Sequence, residues 1–135
     1  MIASGNRTSL SDFGEVMNIL VLEDETEKFE LIRTYVKEIV PEAIIQREIN
    51  WLDYTKAISS KKFDLILLDL LVPRSPKDNT IEDHHEFLVE TTRDYNSKSF
   101  NTPAIVLTRY SLDEGDFVTD LNLVDINVIP FNDHG

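Results

Sequence analysis

The stretch NILVLEDETEK, residues 18–28, decides the fold class of this chain. Its aliphatic run, Ile19-Leu20-Val21-Leu22, stops at three acids, Glu23, Asp24 and Glu25. An unbroken apolar run of this length suits a strand buried on both faces, the usual condition in a parallel sheet. The acids at its end are costly neighbours. Two carboxylates about 4 Å apart repel by roughly 4 kcal/mol at an effective dielectric of 20. Folding tolerates such a cluster where one acid is protonated or where a cation lies between them.

Outward from this stretch, strands and helices alternate. Residues 25–40 carry Phe29, Ile32, Val36 and Ile39 at helical spacing, and Pro41 ends that helix. AIIQREI, 43–49, is a strand with polar interruptions, as at a sheet edge. Asn50 caps a helix from Trp51 to about Ser60. FDLILLDL, 63–70, has the strongest pattern of a central strand. LVPRSPKDN, 71–79, is a long loop, and Thr80 caps a helix running to about Tyr95. AIVLT, 104–108, is a strand, SLDE, 111–114, opens a short helix with a capping box, and INVI, 126–129, is the last strand. Strands alternating with helices, without hairpin signals, predict an α/β fold: a parallel sheet of five strands with helices on both faces and right-handed crossovers. Residues 1–17 form an N-terminal extension, with Leu10, Phe13 and Met17 at helical spacing, and residues 18–135 form the domain.

The bulk numbers fit one compact domain and narrow its partners. A chain of 135 residues buries roughly two thirds of the surface it exposes when unfolded, enough for an unaided core. No apolar run approaches the ~20 residues that span a bilayer, and no basic-then-apolar signal sequence opens the chain. The cytoplasm is therefore the expected location. With no cysteine, disulfides and thiolate metal sites are excluded. The net charge of −12, from 25 acids and 13 bases, argues against direct contact with a nucleic-acid backbone, and no membrane partner is expected. It suits a cation, or a protein with a basic surface.

In an open parallel sheet, ligands bind outside the carboxyl ends of the strands, where strand order reverses. The polar residues of this chain collect there. Glu23 and Asp24 follow the first strand, Asp69 the third, and Thr108 closes the fourth. If the first and third strands are neighbours, three carboxylates meet in one crevice. A hard divalent cation answers their repulsion, and Mg²⁺, which keeps several waters, needs only one or two carboxylates and a carbonyl from the protein. Acids in a first helical turn also meet the helix dipole and cap free N–H groups, so Asp24 and Glu25 taken alone read equally well as caps. Asp69 differs, because it lies between buried aliphatics where an unpaired charge is expensive.

These residues resemble the receiver domain of two-component response regulators. NILVLEDE matches the acidic doublet, DLILLDLLVP the phosphoacceptor segment with its following proline Pro73, PAIVLT the switch hydroxyl, and VIPF the motif that usually reads Lys-Pro-Phe. Four motifs in order cover about residues 18–132. The resemblance implies a flavodoxin-like strand order 2-1-3-4-5 and a regulatory phosphoacceptor domain rather than an enzyme. It implies Asp69 as acceptor of a phosphoryl group from a histidine kinase or phosphotransfer protein. It also implies Mg²⁺ held by Glu23, Asp24, Asp69 and the backbone carbonyl of Leu71. Thr108 then supplies the switch hydroxyl, and an output domain or protein reads the change.

The pattern breaks in two places. The family's lysine after strand five falls at Ile129, which cannot pair with Asp69 or with a phosphoryl oxygen. Arg109, beside Thr108, is a candidate replacement, with Arg74 and Lys77 behind it. The chain also stops at Gly135, where receivers add a fifth helix, so the last helix is missing or truncated. The expectation is a fragment or a natural fusion, with coverage of the bare sheet face by residues 8–17 or by a second copy in a homodimer as the other options. The rival reading is a pseudo-receiver, a phosphorylation-independent interaction or dimerisation module. A Mg²⁺-dependent phosphohydrolase on such a sheet wants an Asp-x-Asp pair, and Asp69-Leu70-Leu71 lacks the second acid. EDHHE, 82–86, makes a poor chelate, because adjacent histidines point about 100° apart on a helix.

Overall fold

The computed structural model describes residues 16–78, 81–83, 85–108 and 126–130. Its framework is a parallel sheet of β1 (Asn18–Leu22), β2 (Ile44–Glu48), β3 (Leu65–Leu68), β6 (Ala104–Thr108) and β7 (Ile126–Pro130), in the order β2-β1-β3-β6-β7. Between β3 and β6 lies a small antiparallel ribbon, β4 (Leu71–Pro73) with β5 (Ile81–Asp83). With the ribbon set aside, the order is the 2-1-3-4-5 expected from the resemblance.

Side chains alternate across the sheet, and two cores result. Leu20 and Leu22 of β1, Ile66 and Leu68 of β3, and Ala104 and Val106 of β6 face α2 (Trp51–Ser60) and α3 (His85–Thr92). There they bury Tyr54, Ile58 and Leu88. Ile19, Val21 and Leu67 face the other way, against Phe29 and Ile32 of α1 (Thr26–Ile39). The sheet is thus covered from both sides, as the unbroken apolar runs require. On the α1 face Leu65, Ile105 and Leu107 are only partly buried.

Local chemistry sets the ends of the helices. Asn50 caps α2: its side-chain oxygen accepts the Asp53 N–H at 2.8 Å. Ahead of Pro41, Val40 leaves helical geometry after its N–H reaches Val36 O, because a residue before proline disfavours the α region. The expected helix 80–95 is shorter, His85–Thr92. It stops where the Asp94 carboxylate accepts the Asn96 N–H at 2.9 Å, a local turn that competes with the helix. The expected loop 71–79 begins instead as the strand β4, because Val72 is apolar and fully buried in the α2-side core. Residues 1–15, Thr80, His84, the helix expected from Ser111 and the chain after Pro130 lie outside the described residues. Met17 packs on the α1-side core and its carbonyl accepts the Ile44 N–H, so the sheet's pairing reaches one residue before β1.

At the amino-terminal end of the strands, buried hydroxyls tie the loops together. Ser99 accepts the Phe63 N–H at 2.9 Å and donates to Lys61 O at 2.7 Å, while Thr102 donates to Phe63 O at 2.7 Å. The carboxyl end is left for chemistry.

Candidate functional site

Register brings the acids together. Leu22 of β1 pairs with Leu68 of β3, so the next residues, Glu23 and Asp69, leave the sheet side by side. The Asp69 N–H donates to Leu22 O at 2.9 Å, and the Glu23 N–H to Glu48 O at 3.0 Å. Arg47 on β2 holds the turn that carries the doublet. Its guanidinium donates to Glu23 O at 2.9 Å and to Asp24 O at 3.1 Å, and lies 4.7 Å above the Phe29 ring. Glu25 occupies the cap position of α1 without a side-chain cap hydrogen bond, and the Glu23 carboxylate accepts the Glu25 N–H at 3.1 Å. The capping reading of Glu25 therefore does not hold, since its carboxylate makes no cap hydrogen bond to the first turn.

One carboxylate oxygen each from Glu23, Asp24 and Asp69 lies within 4.8 Å of the others. Glu23 is buried at 1% exposure, and the Asp69 side chain is 16% exposed, so Asp69 remains open to solvent. Oδ1 of Asp69 accepts the Leu71 N–H at 3.0 Å, which orients the carboxylate.

A cation completes the cluster, and it is none of the candidates offered by the sequence. Lys28, in the first turns of α1, places Nζ 3.0 Å from Glu23 Oε1 and 3.3 Å from Asp69 Oδ2. The same ammonium donates to Leu107 O at 3.0 Å. Its side chain is 2% exposed, and a buried charge of this kind is tolerable only when paired and hydrogen-bonded. Periodicity contains the signal: position 28 precedes Ile32 by four residues and so shares its inward stripe. A lysine on an apolar stripe, one turn beyond an acidic doublet, points at that doublet.

Burial dominates the electrostatics. It pushes the Glu23 carboxyl up to about 7, with the charge of Asp69 adding to the rise; Lys28 and the Glu25 N–H offset only part of it. Burial also raises Asp24, again helped by Asp69. Both oxygens of the buried carboxylate are engaged: Oε1 faces the Lys28 ammonium at 3.0 Å and Oε2 accepts the Glu25 N–H. Three hard oxygen donors this close together are a donor set for Mg²⁺ or Ca²⁺ rather than for a softer metal.

The other sequence candidates are placed as follows. Leu71 opens β4, two residues past Asp69. Thr108 is the last residue of β6, immediately after the carbonyl that Lys28 reaches, and is paired with Pro130. Ile129 is 44% exposed and is the register partner of Leu107. Arg109 lies outside the described residues.

No protein-family model matches the chain. In sequence it is 27% identical over 101 residues to the Detocs response regulatory protein DtcB of Enterobacter cloacae, covering 71% of this chain and 67% of that protein. In structure it is similar to the receiver domain of a sensor histidine kinase from Pseudomonas aeruginosa, solved with magnesium in its active-site cleft. That match has a TM-score of 0.61 at 18% identity and covers 88% of this chain and 86% of the other. The phosphorylated cyanobacterial phytochrome response regulator RcpA matches with a TM-score of 0.65 at 21% identity, covering 84% and 79%. By sheet order and by these likenesses the chain has the fold of a response-regulator receiver domain, and its sequence resembles that of a response regulatory protein.

Proposed function

We propose that this receiver domain takes a phosphoryl group on Asp69 from a phosphohistidine of a kinase or phosphotransfer protein. The observation that carries the reading is the cradle of Glu23, Asp24 and Asp69, with buried Glu23 at its back and Asp69 open to solvent. An Asp69 carboxylate oxygen attacks phosphorus; the P–N bond to the donor histidine breaks as the new O–P bond forms. The imidazole leaves and takes up a proton, and Asp69 becomes a mixed anhydride. Catalysis of such a transfer is mostly positioning and charge neutralisation. The Leu71 N–H holds Asp69 by Oδ1, and Arg47 holds the doublet through its backbone carbonyls.

Glu23, Asp24, Asp69 and the Leu71 carbonyl would hold Mg²⁺, which when bound neutralises phosphoryl oxygens. The gathering of one carboxylate oxygen from each of the three acids within 4.8 Å supports that donor set. Thr108, at the end of β6, is the residue assigned to sense the new anion, and its displacement would alter the surface offered to an output domain or protein. The partner chemistry fits the likeness to response regulators, and so does a regulatory role in the cytoplasm without turnover of a substrate.

Beryllofluoride tests the reading. With Mg²⁺ present it should shift the amide resonances of Asp69, Leu71 and Leu107, and Asp69→Asn should abolish the shifts. Equal spectra with and without beryllofluoride, in a protein that binds Mg²⁺, would instead leave a pseudo-receiver that no phosphoryl group switches.

A further inference from the structure

Ile129 removes from the end of β7 the cation that receivers use beside the acceptor, yet the acceptor here has one. We propose that Lys28 is the phosphoryl-binding cation of this site, delivered from α1 instead of from the end of β7. The proposal rests on the reading of Asp69 as acceptor.

Three observations carry it. First, Lys28 Nζ touches a reacting atom: it lies 3.3 Å from Asp69 Oδ2, while Oδ1 is engaged by the Leu71 N–H at 3.0 Å. A phosphoryl group that joins Asp69 therefore arrives within reach of an ammonium already in place. Second, the third contact of Lys28 is Leu107 O at 3.0 Å, and Leu107 is the register partner of Ile129. The α1 lysine thus reaches across the sheet end to the strand position that the missing lysine would flank. Third, burial is graded. Lys28 is 2% exposed and Asp69 16%, so the acid stands at the mouth with the cation beneath it. A lysine serving only as a solubilising charge would keep its ammonium in water.

Before transfer, the ammonium balances Glu23 and Asp69. After transfer, Asp69 carries a dianionic phosphoryl group, and Nζ donates to one of its oxygens. Charge-assisted hydrogen bonds of this kind exceed neutral ones by enough to change a rate about tenfold to a hundredfold.

The test compares wild type, Lys28→Met, Lys28→Arg and the double variant K28M/I129K. Each is incubated with acetyl phosphate and saturating Mg²⁺, and phosphoryl uptake is followed by intact mass. Mg²⁺ binding is measured separately by calorimetry. The expected result is a loss of at least about tenfold in uptake rate for Lys28→Met, with Mg²⁺ binding retained or tightened because a competing cation is gone. At least one of Lys28→Arg and K28M/I129K should recover most of the rate. Uptake by Lys28→Met at the wild-type rate overturns the proposal. So does a loss accompanied by loss of Mg²⁺ binding, which would make Lys28 a support for the cradle. A loss that neither restored cation repairs also overturns it. A wild-type protein that takes up nothing rejects the acceptor reading itself, and that outcome is visible before any variant is made.

Discussion

Glu23 is the residue whose chemistry is most displaced by the fold. Its carboxyl is raised by burial, and then by Asp69, from 4.5 to about 7. Between those values the folded protein binds a proton that the unfolded chain has released. The unfolded chain therefore holds fewer protons there, and stability falls as pH rises. In metal-free protein the contribution is complete below about pH 4.5 and is lost as pH passes through about 7. Each tenfold gain in proton affinity is worth about 1.4 kcal/mol, so the loss amounts to about 3 kcal/mol. Urea unfolding in EDTA at pH 5 and pH 8 should show that decline, and Glu23→Gln should flatten it. A Glu23→Gln protein with the wild-type slope would place the titrating group elsewhere. At the same scale, the acids of the site were legible, because a carboxylate among aliphatics at a strand end needs a reason. Lys28 was not. It closes the opening stretch itself, but its signal lies in the periodicity of the α1 face, and a series of strand-end motifs does not direct attention there.

Among the elements, the strands of the sheet were the most readable. β1 and β6 have the bounds expected of NILVL and AIVLT, since both are continuous apolar runs, β1 buried on both faces and β6 buried on the α2 side and partly buried on the other. α2 was equally plain, its start written in Asn50. Asn50→Ala leaves the Asp53 N–H without its side-chain acceptor, and Asn50 is 1% exposed. The expected cost is about 1 kcal/mol, read from the denaturant midpoint at unchanged slope. A Gly substitution should cost less. The stretch between Asp69 and β6 was poorly legible. Its ribbon is held by cross-strand backbone pairing, which leaves no periodic signature in three-residue strands, and α3 ends at a side-chain turn. The same region holds Ser99, which is fully buried and bonds both Phe63 N and Lys61 O. Ser99→Ala strands those two groups and should destabilise the fold by about 1–3 kcal/mol, with Thr102→Val giving a smaller additional loss. In the sequence these residues look like ordinary polar loop.

At the scale of the whole molecule, charge and metal are linked. The chain carries a net charge of −12, and three of its acids crowd together at one end of the sheet. A ligand that binds only the folded state stabilises it by RT ln(1 + [L]/Kd), about 2.7 kcal/mol at 100 times Kd. Mg²⁺ at that level should raise the unfolding midpoint accordingly. Asp69→Asn should weaken the response, because it removes a donor.

The central claim is that Asp69 accepts a phosphoryl group in a magnesium-bearing cradle. Its most direct test is intact-mass analysis of the protein after acetyl phosphate, with peptide mapping, in Mg²⁺ and in EDTA. The account predicts a gain of one phosphoryl group, on the peptide containing Asp69, lost in EDTA and on treatment with hydroxylamine, which cleaves acyl phosphates. An unmodified Asp69 peptide in Mg²⁺, or modification confined to another residue, would contradict it.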